Sequence, residues 1–209
     1  MTEIGRAGAL KLERQLGVAR NGVHVLDRKQ HILASELERL ELQTTQSGRE
    51  WEALARHAAV WLQRTAALDG EELLGEASPV HTATVRLSWG TAMGLSYPND
   101  ADCELPDAPS VGGSSALSYA ATQHRAAVTA AVTHAAFVRA RLLVSTELQA
   151  TRTRRRAVEN RWIPRLESEL MTIRRKLEEQ ELEDSLRLHW AVNANANANA
   201  NATTTGSHS

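Results

Sequence analysis

The stretch LERQLGVARNGVHVLDRKQHILASELERL (Leu12–Leu40) decides the fold. Its apolar residues Leu12, Leu16, Ala19, Val23, Leu26, Leu33, Leu37 and Leu40 are separated by 4, 3, 4, 3, 7, 4 and 3 positions. Alternating steps of three and four put side chains on one stripe of an α-helix, and a stripe sustained over several heptads is a seam for a second helix. The missing step falls at polar Gln30. The same register continues through Thr44, Ser47, Trp51, Leu54, Ala58, Trp61, Thr65 and Leu68. It weakens across QTTQSG, where Gly48 marks a candidate kink. A helix from about residue 10 to 68 would be ~85 Å long, more than a compact domain of this size needs.

A second helical pattern lies at the other end. Val128, Ala131, Ala135, Val138, Leu142 and Ser145 step by 3, 4, 3, 4 and 3. The seam turns polar from Gln149 to Glu159, returns at Trp162, Leu166, Leu170, Ile173 and Leu177, and shifts phase to Leu182 and Leu186. Trp51, Trp61 and Trp162 sit at positions compatible with packing in the seams. Pro164 removes a backbone donor inside this pattern and predicts a kink, not a helix end.

Between the helices, glycine and proline recur. Val80–Trp89 and Thr91–Tyr97 read as two extended runs about a turn at Gly90, and Asn99–Ser114 reads as a polar loop. Two seams that water cannot cover are each other's nearest partners, so the simplest arrangement folds back on itself; an intermolecular coiled coil is the competing one. The fold expected is mainly α: a long antiparallel two-helix coiled-coil hairpin with a small middle knob containing a short β-hairpin. Its parts are an N-terminal shaft helix (1–69), the knob and loop (70–115), a C-terminal shaft helix (116–191) and a disordered low-complexity tail (192–209), whose Asn-Ala alternation has no core face.

Composition agrees. Of 209 residues 42% are hydrophobic but only 4% aromatic, which suits long Ala/Leu/Glu/Arg helices better than a globule filled by large rings. A net charge of −1 gives no electrostatic case for nucleic acid or an anionic membrane. One cysteine excludes an internal disulfide. No N-terminal stretch reads as a signal peptide, and no window approaches the ~20 apolar residues of a membrane span, so no direct membrane insertion is expected.

Chemistry finds little purchase. The eight histidines make no HExxH pattern and no Cys/His metal pair; His24 and His31 lie seven apart without a third ligand. Phosphate-binding glycine loops and a nucleophile elbow are missing, and Ser114 and Ser115 have no recognisable base. No catalytic, cofactor-binding or metal residue is expected, and the chain is not read as an enzyme. The sharpest charge feature is TRTRRR, whose Arg152, Arg154, Arg155 and Arg156 suit an acidic partner surface. The acidic run Glu178–Asp184 sits among Arg174, Arg175, Lys176 and Arg187 and reads as a solvated helix face.

Three segments together resemble the D subunit of the V-type and archaeal-type rotary ATPases. LERQLGVARNGVHVLDRKQHIL (Leu12–Leu33) is similar to that family's N-terminal helix, with Arg28 and Lys29 keeping its basic stretch. AMGLSYP (Ala92–Pro98) resembles its Met-Gly-x-x-x-Pro segment through Met93, Gly94 and Pro98. Thr151–Leu188 resembles its C-terminal signature through Arg154, Glu159, Ile163, Pro164, Leu166, Ile173, Leu177, Glu178, Glu179, Arg187 and Leu188; Arg156 stands where the family usually has Asn.

The resemblance implies a central rotor shaft, cytoplasmic and peripheral to a membrane-bound complex. It implies terminal helices forming an axle inside a ring of catalytic and non-catalytic (A- and B-type) subunits, which bind the ATP and magnesium. It implies a knob joining the small F-type stalk subunit and an adaptor on the membrane rotor. Arg28, Lys29, Arg165, Arg174 and Arg175 are then candidates for charged contact with the ring. The alternative is a non-motor coiled-coil scaffold or adaptor. The gamma shaft of F-type synthases shares the two-helix design but carries a larger middle domain, and a basic-helix nucleic-acid binder is a third class.

Overall fold

The computed structural model describes residues 5–107, 109 and 111–205, with side chains described as far as residue 194. The element order is α1 (Arg6–Glu76), β1 (Thr84–Ala92), β2 (Leu95–Glu104), α2 (Ser115–Ala157), a π-helical turn (Val158–Trp162) and α3 (Ile163–Thr205). Two long helical stretches thus flank one short antiparallel hairpin. The chain forms two compact units, one of Met1–Val25 with Arg154–Ser209 and one of Leu26–Thr153.

In the first unit the start of α1 packs on α3. Ala9, Leu12, Leu16 and Ala19 are buried with Leu166, Leu170 and Ile173, and Val158, Ile163 and Leu177 pack at the margins. Three ion pairs edge this seam. Arg6 Nη2 meets Glu181 Oε1 at 2.7 Å, Glu13 Oε1 meets Arg174 Nη2 at 2.6 Å, and Arg20 Nη2 meets Glu167 Oε1 at 2.8 Å. The partners climb α1 and descend α3 seven residues at a time, so the two segments run antiparallel in heptad register. Each pair is largely exposed and contributes only about 0–1 kcal/mol. Their effect is on register: a slip of one residue breaks all three.

Three expectations in this unit are corrected. Leu182 and Leu186 are 63% and 52% exposed, not seam residues, because α1 begins at Arg6, opposite Glu181. Trp162 is exposed rather than packed in the seam. It ends the π turn, where the Ile163 N–H donates to the Val158 carbonyl five residues back. The turn's extra residue swings Trp162 off the stripe while Leu166 stays on it. It also takes up the geometry that Pro164, lacking an N–H, denies an ordinary α turn. The third correction concerns the tail: α3 continues past 192 to Thr205. Alanine, the best helix former, stands at every second position there; residues 206–209 lie outside the described residues.

In the second unit the rest of α1 packs on α2. Leu33 and Leu40 are fully buried with Ala140, Val144 and Leu148. Ser47, Ala58 and Thr65 continue the α1 stripe in the expected register; Trp51 and Leu68 are more exposed. Gly48 does not kink the helix. A Cβ there would lie 3.1 Å from His134 Cε1, so the glycine makes room for the imidazole of the facing helix. The break comes at Gly70, whose φ of 84° and ψ of 164° are open to glycine and strained for other residues. The helix then resumes and runs on to Glu76.

The seam expected on α2 is not the one used. Val128, Val138 and Leu142 are 41%, 36% and 52% exposed, whereas Ala120, Ala127, Ala136, Ala140, Val144, Leu148 and Thr151 are buried. Small side chains let the two backbones approach closely, and the branched residues on the opposite face are displaced outward. The composition of this helix also corrects the membrane reading. Within Ser115–Ala194 an 18-residue window reaches a mean hydropathy of 1.4, apolar enough by length and composition to cross a membrane, with 22% of it buried. Alanine, mildly apolar and abundant here, raises the mean without a run of large aliphatics.

The hairpin turns at Met93 and Gly94, not at Gly90. Both have positive φ, 48° and 81°, the conformation of a two-residue turn whose twist matches its strands. β1 and β2 pair from Thr84↔Glu104 to Ala92↔Leu95, with a bulge where Ser88 faces Asp100 and Trp89 faces Pro98. Pro98 cannot donate to the ladder, and Asn99 is the extra residue. Gly90 serves packing: a Cβ there would meet Asn99 Cβ at 3.2 Å and the Tyr97 ring at 3.4 Å. The expected loop from Asn99 begins later, after β2 ends at Glu104; residues 108 and 110 lie outside the described residues.

Candidate partner-docking surfaces

The nine basic candidates divide by what they touch. Lys29 Nζ lies 2.6 Å from Glu147 Oε1, both only about one-fifth exposed, and joins α1 to α2. Arg174 is committed to Glu13 in the heptad ladder. Arg155 pairs with Glu159 of the π turn at 3.4 Å, and Arg165 and Arg175 pair along α3 with Glu169 and Glu179 at 2.9 and 3.3 Å. Arg28, Arg154 and Arg156 are exposed and Arg152 is half-buried. Of the signature residues, Leu166 is buried in the first unit, Ile163 packs beside it and Pro164 follows the π turn. Met93, Gly94 and Pro98 build the hairpin turn and bulge in the second unit.

Sequence reasoning missed the cluster that fastens the hairpin to the helices. Tyr97 is buried among Leu33, Leu40 and Ala140, and its hydroxyl donates to Glu36 Oε1 at 2.6 Å. Arg39 closes on the same carboxylate through Nη2 at 2.5 Å and Nε at 3.1 and 3.2 Å. It also donates to Gln43 Oε1 and, across to the hairpin, to Asn99 Oδ1 at 3.3 Å. Thr133 Oγ1 donates to the Ala101 carbonyl from the α2 side. The only sequence signal was Glu36 and Arg39 three apart beside the seam. Nothing local marks Tyr97, some sixty residues away, as their partner. In the first unit, the ladder residues Arg6, Glu13, Arg20, Glu167 and Glu181 were legible in principle, as opposite charges at heptad flanks.

The Arg39 guanidinium holds Glu36 below the usual carboxylate range, against the opposing effect of burial and with help from the Tyr97 hydroxyl. Burial, then the hydrogen bond to Glu36, pushes Tyr97 above the usual phenol range. The depressed Glu36 contributes stability that is fully present above the unfolded carboxylate value near ~4.3 and is lost as pH falls through its lower folded value. The raised Tyr97 contributes stability present below ~10 and lost as pH rises through its higher folded value. Melting temperature across pH should therefore fall at both extremes. Tyr97→Phe should flatten the alkaline limb, keep the larger, Arg39-dependent part of the acid limb and cost about 1 kcal/mol near neutrality.

A second inter-helix contact pairs Ser47 Oγ with His134 Nδ1 at 3.0 Å, with Trp51 stacked on the imidazole at a centroid distance of 5.6 Å. At the hairpin's outer side Val85, Leu87 and Trp89 are 46%, 45% and 62% exposed at alternate positions of β1. Near the loop end, a groove of 390 Å³ is bordered by Leu62, Leu74, Leu105, Leu117 and His124. These surfaces suit protein contact. Among the described residues no three of His, Cys, Asp and Glu gather as a metal site.

The model of the ATP synthase D-subunit family matches residues 9–193. The chain belongs to that family. The match takes in the seam of the first unit, the hairpin-bearing second unit and the π turn, and it ends as the Asn-Ala repeat begins. Curated relatives include the V-type ATP synthase D subunit of Anaeromyxobacter dehalogenans (strain 2CP-C), 32% identical over 195 residues that cover 88% of this chain and 91% of that protein. The proteins of the same description from Anaeromyxobacter sp. (strain K) and A. dehalogenans (strain 2CP-1) are 31% and 30% identical over the same coverage. Within the D-subunit family, then, the basic candidates of this chain are mostly committed to internal ion pairs, and the hairpin is fastened by Glu36, Arg39 and Tyr97.

Proposed function

We propose that this chain is the central rotor shaft of a V-type rotary ATPase, coupling ATP hydrolysis or synthesis in a catalytic ring to ion transport through a membrane rotor. The observation that carries the reading is the family match over 9–193. Its physical counterpart is a helical pair whose register is set by heptad ion pairs. A shaft must resist twist, and two helices interlocked along a seam and edged by charge resist it better than one. It must also pass successive sites on the ring without lodging at any. Exposed, solvated arginines such as Arg28, Arg154 and Arg156 give weak, repeatable contacts instead of one deep anchor.

In this role the A- and B-type ring subunits hold ATP and magnesium, and this chain transmits motion without making or breaking bonds. The hairpin-bearing unit, with its exposed Val85, Leu87 and Trp89, meets the F-type small stalk subunit and the adaptor on the membrane rotor. The assembly stands on the cytoplasmic side, peripheral to the membrane. Vesicles carrying the complex assembled with this chain should accumulate the transported ion on addition of ATP. Those assembled without it should show no ATP-driven transport. Equal transport in its absence would rule the shaft out.

A further inference from the structure

Helix α2 carries two apolar stripes. One, through Ala136, Ala140, Val144 and Leu148, is buried against α1 in the Leu26–Thr153 unit. The other, through Val128, Ala131, Ala135, Val138, Leu142 and Ser145, has the more regular heptad spacing. At 3.5 residues per turn it lies roughly 150° around the helix from the first. A helix packed on one neighbour needs one stripe. Val128, Val138 and Leu142 are exposed on the other stripe, with Ala131 and Ser145 half-buried between them, and the exposed three add nothing to that pair. They are what a third helix would cover.

The charges beside this stripe select its occupant. With Val128, Ala135 and Leu142 at a positions and Ala131, Val138 and Ser145 at d positions, Arg139 falls at e and Arg141 at g. Both are exposed, one on each side of the Val138–Leu142 step. Residues at e and g meet the flanking charges of a coiled-coil partner and set its identity. The one acidic residue of α2, Glu147, is already held by Lys29 at 2.6 Å, so the face around the stripe is basic and unopposed from within the helix. From Val128 to Ser145 the stripe runs about 26 Å, room for a helix of two to three heptads. Ala131 and Ala135 let that helix come close.

We propose that the Val128–Ser145 stripe is a docking seam for an amphipathic helix of a partner protein, apolar at its a and d positions and acidic at its e and g positions. Docking makes a three-helix coiled coil of this part of the chain. A second copy of this chain is the wrong occupant by charge, since its own stripe would set Arg139 and Arg141 against the same arginines. The seam belongs to the second unit alone and serves a turning shaft or a static scaffold equally, so it goes beyond the shaft reading.

The test uses the full-length chain and a fluorescent helical peptide of about three heptads with Leu and Ile at a and d and Glu at e and g. Its twin carries Lys at e and g. The Glu peptide should bind at least about tenfold more tightly than the Lys peptide. Val138→Asp with Leu142→Asp should weaken it by at least about tenfold. Because both side chains are exposed, far-UV circular dichroism should show unchanged helicity. Arg139→Glu with Arg141→Glu should reverse the preference between the peptides. Equal binding of the two peptides, no binding of the Glu peptide, or binding indifferent to Val138→Asp/Leu142→Asp overturns the proposal. So does dimerisation of the chain that Leu142→Asp abolishes, which would give the stripe to a second copy.

Discussion

Leu40→Ala lowers the unfolding free energy of the Leu26–Thr153 unit by about 3 kcal/mol, while Leu42→Ala costs less than about 0.5 kcal/mol. The two leucines are two residues apart on one helix. Leu40 is fully buried in a cluster with Leu33, Tyr97, Ala140, Val144 and Leu148, drawn from both helices and the hairpin. Truncation removes its transfer free energy and leaves a cavity that close-packed helical backbones cannot collapse to fill. Leu42 is 74% exposed and loses little. Denaturant titration followed by tryptophan fluorescence measures both. Equal effects would mean that the α1 seam has been assigned to the wrong stripe.

Ala140→Leu destabilises the same unit by about 2–3 kcal/mol, and Leu142→Ala is nearly neutral. This is the opposite of what side-chain size suggests. Ala140 is fully buried in the cluster shared by α1 and α2, so three added carbon atoms must displace a backbone or force side chains off their rotamers. Leu142 faces water at 52% exposure. Thermal melting of the two variants side by side decides which stripe of α2 is internal. A stabilised Ala140→Leu and a destabilised Leu142→Ala would place the seam on the Val128–Leu142 face after all.

That pair of residues also shows how far the sequence could be read. The α1 stripe was legible because large leucines fill it, and size and periodicity point the same way from Leu12 to Leu40. On α2 they point apart. The cleanest heptad steps run through Val128, Val138 and Leu142, but contact distance favours alanine, and periodicity carries no information about distance. Pro164 announced an irregularity, and the structure answered with a π turn, which displaced Trp162 without disturbing Leu166. The Met93–Gly94 turn was hidden behind Gly90, whose missing side chain serves Tyr97 and Asn99 instead. The Glu36–Arg39–Tyr97 cluster was illegible because its members come together only when the hairpin lies on the helices. The basic residues were visible as charges, but their commitments to Glu13 and Glu147 depend on which faces the seam brings together.

Cys103, the single cysteine, lies half-buried on β2 and accepts a probe without an engineered site. With the ring subunits immobilised and a probe on Cys103, ATP should drive unidirectional rotation of the chain at a rate that follows hydrolysis. A ring that hydrolyses ATP at full rate while the probe stays at rest would contradict the shaft.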